Sequence, residues 1–164
     1  MTTIDRIQAD LDTHRITGHV PGGAVLNVPL VSHIIGPLWM GGCIDGVRLP
    51  DDFKYVISLY PWEKYELGPD TKRFAFRLYD GHAVPDWDEL KPIIYMALDC
   101  LSKGKTLIHC QAGLNRSGLI SALAMYHNPS NTGQSMEFYI DRLRTKRSHL
   151  VLCNPTFERW LLNK

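Results

Sequence analysis

The sequence predicts an α/β fold: a central mixed β-sheet of about four to five strands flanked by α-helices. Three observations predict it. Short runs rich in apolar and β-branched residues, such as Tyr55-Val56-Ile57-Ser58-Leu59 closed by Pro61, have the length and composition of strands. Longer stretches repeat apolar residues at helical spacing, as in Leu90, Ile93, Ile94, Ala97, Leu98 and Leu101. One short apolar run, Thr106 to His109, passes through a glycine-bearing segment into a helical stretch. Open sheets place ligands at that kind of strand–loop–helix junction.

Taken in order, residues 3–13 set Ile4, Ile7 and Leu11 at helical spacing and predict a short N-terminal helix. Gly18 to Pro29 is rich in glycine and proline and reads as loop. Ile34 to Gly42, with Gly36-Pro37 inside it and Gly41-Gly42 at its end, reads as one strand or a tight pair. Arg73 to Tyr79 alternates with period two, the pattern of a half-buried strand. Asp86 is placed as a helix N-cap, with Glu89 as its capping-box partner and Gly104 as the terminating glycine. Pro92 is expected to kink or restart that helix. Ser117 to Tyr126 predicts a second helix stopped by Asn128-Pro129, Gln134 to Lys146 a third, and Asn154-Pro155 the start of a fourth.

No repeat or linker divides the 164 residues, which predicts one domain over 1–164, with its core at about 33–162 and a helix and loop at 1–32. A net charge of +1 excludes a general polyanion-binding surface as the main theme. No apolar run is long enough to predict a membrane span, and the first residues lack the basic-then-apolar pattern of a secretory signal. The expectation is a cytoplasmic monomer that uses no membrane. The four cysteines (43, 100, 110 and 153) contain no Cys-x-x-Cys pair and the seven histidines no His-x-x-x-His pair, so no metal site is expected. Reduced thiols packed as small hydrophobes are expected for most of the cysteines.

The most informative stretch is His109-Cys110-Gln111-Ala112-Gly113-Leu114-Asn115-Arg116-Ser117-Gly118. Cysteine and arginine six positions apart would face one phosphoryl group, the thiolate on phosphorus and the guanidinium on two oxygens. Spacing alone is a weak signal, because Cys153 and Arg159 repeat it. That second segment carries Pro155, which lacks a donor, Glu158, which repels anions, and no glycine; Asn154-Pro155 reads as a helix cap and first turn. The Cys110 loop has no acidic residue. Gly113 permits the dihedrals that turn successive N–H groups inward, and Arg116 opens a helix whose N-terminus adds positive potential. Those features favour the thiolate, the attacking form.

This loop resembles the His-Cys-x-x-Gly-x-x-Arg-Ser/Thr signature of the cysteine-based protein tyrosine phosphatases. Chain length and layout are similar to the compact dual-specificity branch. The resemblance runs over roughly 33–162. Leu38-Trp39-Met40-Gly41-Gly42 is similar to that branch's early strand, and Arg147 followed by Asn154-Pro155-Thr156-Phe157 to its C-terminal segment, with Ser148 where proline is usual.

The resemblance implies a cofactor-free, metal-independent hydrolysis of phosphotyrosine, with phosphoserine and phosphothreonine as further substrates, through a cysteinyl-phosphate. It implies Cys110 as nucleophile and Arg116 with the amides of Gln111, Ala112, Gly113, Leu114 and Asn115 as phosphate holders. Asp80, thirty residues before Cys110 and directly after the Arg73–Tyr79 strand, is implied as general acid; Asp86 and Asp88 are better accounted for by helix capping. Ser117 is implied to help the sulfur leave, and His109 to order the loop and tune the thiol from behind.

Asn115 keeps a second reading open. An asparagine before Arg-Thr/Ser is similar to the RNA 5′-triphosphatase-like members of the superfamily, although Gln111-Ala112 replaces their Thr-His. The bland account is a polar residue bonding within the loop. An RNA 5′ end is therefore the alternative to a phosphorylated protein, and a phosphate-binding pseudophosphatase is the non-enzyme alternative. A redox arsenate reductase would need a resolving thiol, for which Cys43 and Cys100 are the candidates. No lysine lies in the loop, which argues against a multiply phosphorylated lipid. Arg142, Arg144, Lys146 and Arg147 read as a solvated basic face, and Trp62 or Trp87 as a ring bordering the cleft.

Overall fold

The structure is a computed structural model that describes residues 2, 11, 13–131 and 133–164. Nearly all of the expected N-terminal helix falls outside the described residues. The first strands form a hairpin of β1 (Arg15–His19) and β2 (Val25–Pro29). There follow β3 (Val31–Ile35), β4 (Leu38–Gly41), β5 (Tyr55–Ser58) and β6 (Lys72–Ala75). Helix α1 (Trp87–Lys103) leads into β7 (Thr106–His109), and α2 (Arg116–His127), α3 (Met136–Lys146) and α4 (Pro155–Leu162) complete the chain.

Strands β3 to β7 form a five-stranded sheet in the order β3-β4-β7-β5-β6. Only the β3–β4 pairing is antiparallel; β4–β7, β7–β5 and β5–β6 are parallel. The mixed α/β architecture expected from sequence is therefore present. Ile34 to Gly42 resolves as the tight pair, with Gly36-Pro37 at the turn between β3 and β4.

Side-chain alternation divides the core between the two faces of the sheet. Ile34, Leu38, Met40, Ile57 and Ile108 point to the face that carries all four helices, meeting Leu90, Ile94, Leu119, Leu123, Ile140, Leu143, Phe157 and Leu161. Val31, Trp39, Val56 and Leu107 point the other way, onto Leu30, Leu49, Phe53 and Tyr65. There the cover comes from the irregular stretches on either side of β5, at 43–54 and 59–67, with Leu11 in the same cluster. Trp39 is fully buried, with its ring centroid 5.5 Å from that of Phe53 in an edge-on contact. Strands β4 and β7 are buried at every residue, so the centre of the sheet is its most enclosed part.

Several local expectations change. Residues 18–29 are not loop: Gly18 and Leu26 are paired in the β1–β2 ladder, and only the tip turns. Period-two alternation is diluted there by glycines and an asparagine, which hides the strands. The 73–79 strand is shorter than its alternation suggests, since β6 ends at Ala75 and only the Phe76 N–H continues onto the Ser58 carbonyl. Pro92 does not restart α1, which is continuous from Trp87 to Lys103. Pro92 and Asp88 are both exposed, so water can take the Asp88 carbonyl that the proline leaves without a donor. Asp86 caps α1 through the Asp88 N–H (3.0 Å), and Gly104 ends it in extended backbone, not in the left-handed form. Among the described residues no helix is long and apolar enough to cross a membrane.

Candidate active site

Cys110 leaves the sheet at its centre. Its predecessor His109 is paired with Gly41 on one side and Ser58 on the other, and the Cys110 N–H donates to the Gly41 carbonyl at 3.2 Å. The chain then turns through residues 111–115 and enters α2 at Arg116. This places the cysteine at the carboxyl end of the parallel strands and the amino end of a helix, where unpaired N–H groups gather.

The loop is held from outside by its carbonyls. The Gln111 carbonyl accepts from the Cys43 N–H (3.0 Å) and the Leu114 carbonyl from the Leu152 N–H (3.1 Å). Arg147 takes the two between them, Nη2 donating to the Ala112 carbonyl at 3.0 Å and Nε to the Gly113 carbonyl at 2.7 Å. With four consecutive carbonyls bonded outward, the amides are left for the interior. Gly113 makes this turn at φ +74. A Cβ there would stand 2.5 Å from both Arg147 Nη2 and the Gly42 nitrogen.

Inside the loop the Gly113 N–H donates to Cys110 Sγ at 3.3 Å, and Ser117 Oγ lies 3.3 Å from the same sulfur. Cys110 is 2 % exposed, so only a group entering the loop reaches the sulfur. The Arg116 guanidinium is stacked 4.9 Å from the Tyr60 ring centre, and among the described residues its buried Nε has no hydrogen-bond partner.

Asp80 comes to this loop from the segment after β6. Its Oδ2 accepts from Asn115 Nδ2 at 3.0 Å and its Oδ1 from Asn154 Nδ2 at 2.8 Å. A pocket of about 150 Å³ is lined by Cys110, Gln111, Ala112, Leu114, Asn115, Arg116 and Asp80 from the sequence-derived set. Gly113 packs closely against Gly41-Gly42, and His109 is fully buried. The His109 Nδ1 faces the Cys110 carbonyl at 3.1 Å, which only accepts, so the proton sits on Nδ1. Burial, opposed by that bond and aided by the Arg73 charge, lowers the imidazole pKa to about 4, so His109 is neutral at ordinary pH.

Sequence reasoning missed three contributors. The hairpin tip closes one side of the pocket with His19, Val20, Pro21 and Leu26. Arg147 is not part of a solvated basic face: it is buried and also donates to the Pro29 carbonyl (2.8 Å) and Ser32 Oγ (3.2 Å), tying hairpin, sheet and loop together. Burial lowers its pKa to about 10, against the pull of Cys110 and Tyr65, and it remains a cation at neutral pH. Arg142 and Arg144 are likewise engaged, on the Ile34 and Val151 carbonyls. The third is the Cys153 segment, which supplies Cys153 to the pocket wall and Asn154 to Asp80.

The two candidate resolving thiols are poorly suited to that role. Burial pushes Cys43 up to about 12 and Cys100 up to about 11, with nearby carboxylates adding, so both stay protonated. Trp87 packs 5.3 Å from His127 and the Lys164 ammonium, whereas Trp62 is exposed beside Tyr60, with ring centroids 4.9 Å apart.

No family model and no curated protein matches the sequence. Solved structures do. Human DUSP28 superposes with a TM-score of 0.65 at 14% identity, covering 80% of this chain and 93% of its own. A mouse putative dual specificity phosphatase complexed with zinc tungstate gives 0.64 at 14%, covering 89% and 90%. Tk-PTP in the active form gives 0.60 at 22%, covering 83% and 98%. The chain thus has the fold of the cysteine-based phosphatases of the dual-specificity branch, the group its loop resembles.

Proposed function

We propose that this protein hydrolyses phosphoric monoesters through a cysteinyl-phosphate, acting on phosphotyrosine and also on phosphoserine and phosphothreonine of proteins. The observation that carries the reading is the Cys110 sulfur at the floor of a loop whose carbonyls are all bonded outward, with Arg116 and Asp80 in the same pocket.

In the first step Cys110 Sγ bonds to phosphorus as the ester P–O bond breaks. Arg116 and the 111–116 amides hold the three equatorial oxygens, and a protonated Asp80 carboxyl gives its proton to the leaving oxygen. In the second step water attacks phosphorus, Asp80 accepts its proton, and the P–S bond breaks. Ser117 Oγ, 3.3 Å from Sγ, donates to the departing thiolate. Side chains and amides supply every group in this sequence, so it calls on no metal or cofactor.

A single-phosphate substrate suits the pocket best. Its wall carries one guanidinium, Arg116, beside the Asp80 carboxyl, and apolar Val20, Pro21, Leu26, Ala112 and Leu114. A triphosphate end would ask for more cations. The Asn115 amide, engaged by Asp80 and Asn154, is also turned away from reading a base.

The test is aryl phosphate hydrolysis in EDTA by the wild type and Cys110→Ser. Turnover that survives EDTA and disappears in the variant supports the reading; a silent wild type favours the pseudophosphatase. Phosphotyrosine peptide, phosphoserine peptide and triphosphate-ended RNA, compared at equal enzyme, assign the substrate class.

A further inference from the structure

We propose that Asn115 and Asn154 form a two-amide clamp that positions Asp80, so that the phosphate loop itself sets the place of the general acid. The proposal rests on the phosphatase reading above.

Asp80 and Gly81 lie in an irregular segment whose flanks are open to solvent: Tyr79 is 71% exposed and Val84 70%. Among the described residues their side-chain-mediated anchors come from two asparagines. Asn154 Nδ2 spends both hydrogens there, on Asp80 Oδ1 and on the Gly81 carbonyl (2.9 Å). Asn115 Nδ2 takes the other carboxylate oxygen.

The orientation of each amide is fixed by its far side. Asn154 Oδ1 accepts from the Thr156 and Phe157 N–H groups at the start of α4, at 3.0 and 3.4 Å. Asn115 Oδ1 accepts from the Asn154 N–H at 2.9 Å. Flipping either side chain would set an amide oxygen against a carboxylate and orphan a backbone donor, so the donor ends face Asp80. The ring Asn115–Asp80–Asn154 closes on itself.

The geometry has a catalytic consequence. Asn115 immediately precedes Arg116, so the residue beside the phosphate-holding guanidinium also fixes the acid. Each carboxyl oxygen has a second lone-pair site beyond the one the clamp uses, and Asp80 lines the same pocket as Cys110. Proton transfer is sensitive to placement, since the donor must sit within hydrogen-bond reach of the ester oxygen. Asn115 and Asn154 are positioning residues acting through Asp80.

The experiment compares Asn115→Ala with wild type on p-nitrophenyl phosphate, whose leaving group needs little help, and on phenyl phosphate, whose leaving group needs the proton. The expected loss in kcat is at least about tenfold larger on phenyl phosphate, a part of the full general-acid contribution. In an Asp80→Ala background Asn115→Ala should add no such difference, because the two act as one unit. Equal losses on the two substrates, or the same difference without Asp80, would overturn the proposal, as would an effect confined to KM for triphosphate-ended RNA.

Amide hydrogen exchange provides an arm that needs no turnover. Asn115→Ala should speed exchange at Gly81 severalfold while α2 is unchanged; unchanged exchange at Gly81 would refute the clamp. A wild type that hydrolyses neither ester but shows the exchange effect would sink the phosphatase reading and leave the contact standing.

Discussion

Arg147 Nε lies 2.7 Å from the Gly113 carbonyl, and Arg147 Nη2 3.0 Å from that of Ala112. One buried side chain thus turns two adjacent peptide units of the Cys110 loop. Lysine carries the charge but not the planar fork, so it cannot reproduce both bonds. Arg147→Lys is expected to leave at least one carbonyl without a donor, at a cost of about 1–3 kcal/mol each, read by urea denaturation. Binding of vanadate or tungstate should weaken in parallel, because the freed carbonyls can rotate toward the anion.

Gly113→Ala tests the same wall from within. Its left-handed φ of +74 is strained for alanine, and the added methyl meets Arg147 Nη2 and the Gly42 nitrogen at 2.5 Å. None of these is the loose end of a free chain, so relief requires moving the loop. The expected outcome is loss of oxyanion binding and of turnover together, with a thermal midpoint below that of wild type. A variant that bound tungstate as wild type does would show that the loop tolerates a different turn.

Local chemistry made the middle of this site legible and distance in sequence hid its supports. Cys110, Gly113 and Arg116 stand within seven residues, and an acid-free, glycine-bearing stretch after an apolar run has few other uses. The strands are short but rich in Val, Ile and Leu, so the sheet could be read as well. Arg147 could not be placed, because an arginine at a helix end looks the same whether it is solvated or buried under a loop 34 residues away. Asn154 was legible only as a cap. Its Oδ1 fills that role at the start of α4, and the Nδ2 contact with Asp80, 74 residues earlier, exists only in three dimensions. The β1–β2 hairpin failed for a different reason: its glycines and proline mark a turn but do not reveal that both flanks pair.

The two roles of Asn154 can be separated. Aspartate is as good an N-cap as asparagine, so Asn154→Asp should keep the capping bonds of α4. It lacks the Nδ2 donors and sets a second carboxylate against Asp80. Turnover on phenyl phosphate should therefore fall more than stability does. Asn154→Ala should lose both, with about 1 kcal/mol from the missing cap. Parallel denaturation curves and rates on the two esters distinguish these outcomes.

In the proposed mechanism Ser117 Oγ, 3.3 Å from Cys110 Sγ, serves the second half-reaction rather than the first. Thiolate departure from the phosphoenzyme benefits from a hydroxyl donor, whereas attack on substrate does not. Ser117→Ala is expected to slow breakdown of the cysteinyl-phosphate, so that a rapid burst of aryl alcohol precedes a slower steady state. Rapid-quench kinetics with p-nitrophenyl phosphate should show a burst approaching one equivalent per enzyme. A uniform slowing without a burst would place Ser117 in helix packing alone.

Acid stability follows from His109. Its pKa falls from 6.5 in the unfolded chain to about 4 in the folded protein, chiefly through burial. The unfolded state therefore binds the extra proton first as pH drops. The contribution of His109 is fully present above about 6.5 and is lost as pH falls from there toward 4, at up to about 1.4 kcal/mol per unit and about 3 kcal/mol in all. Glu63, whose carboxyl is raised by partial burial and by Asp45, works in the opposite direction, and His127, lowered by burial and Lys164, in the same one. Subtracting a non-titrating variant isolates the term. The stability gap between wild type and His109→Asn should narrow steadily between pH 7 and pH 4 in urea titrations. A gap independent of pH would mean that the buried imidazole is protonated as readily in the folded protein as in the unfolded chain.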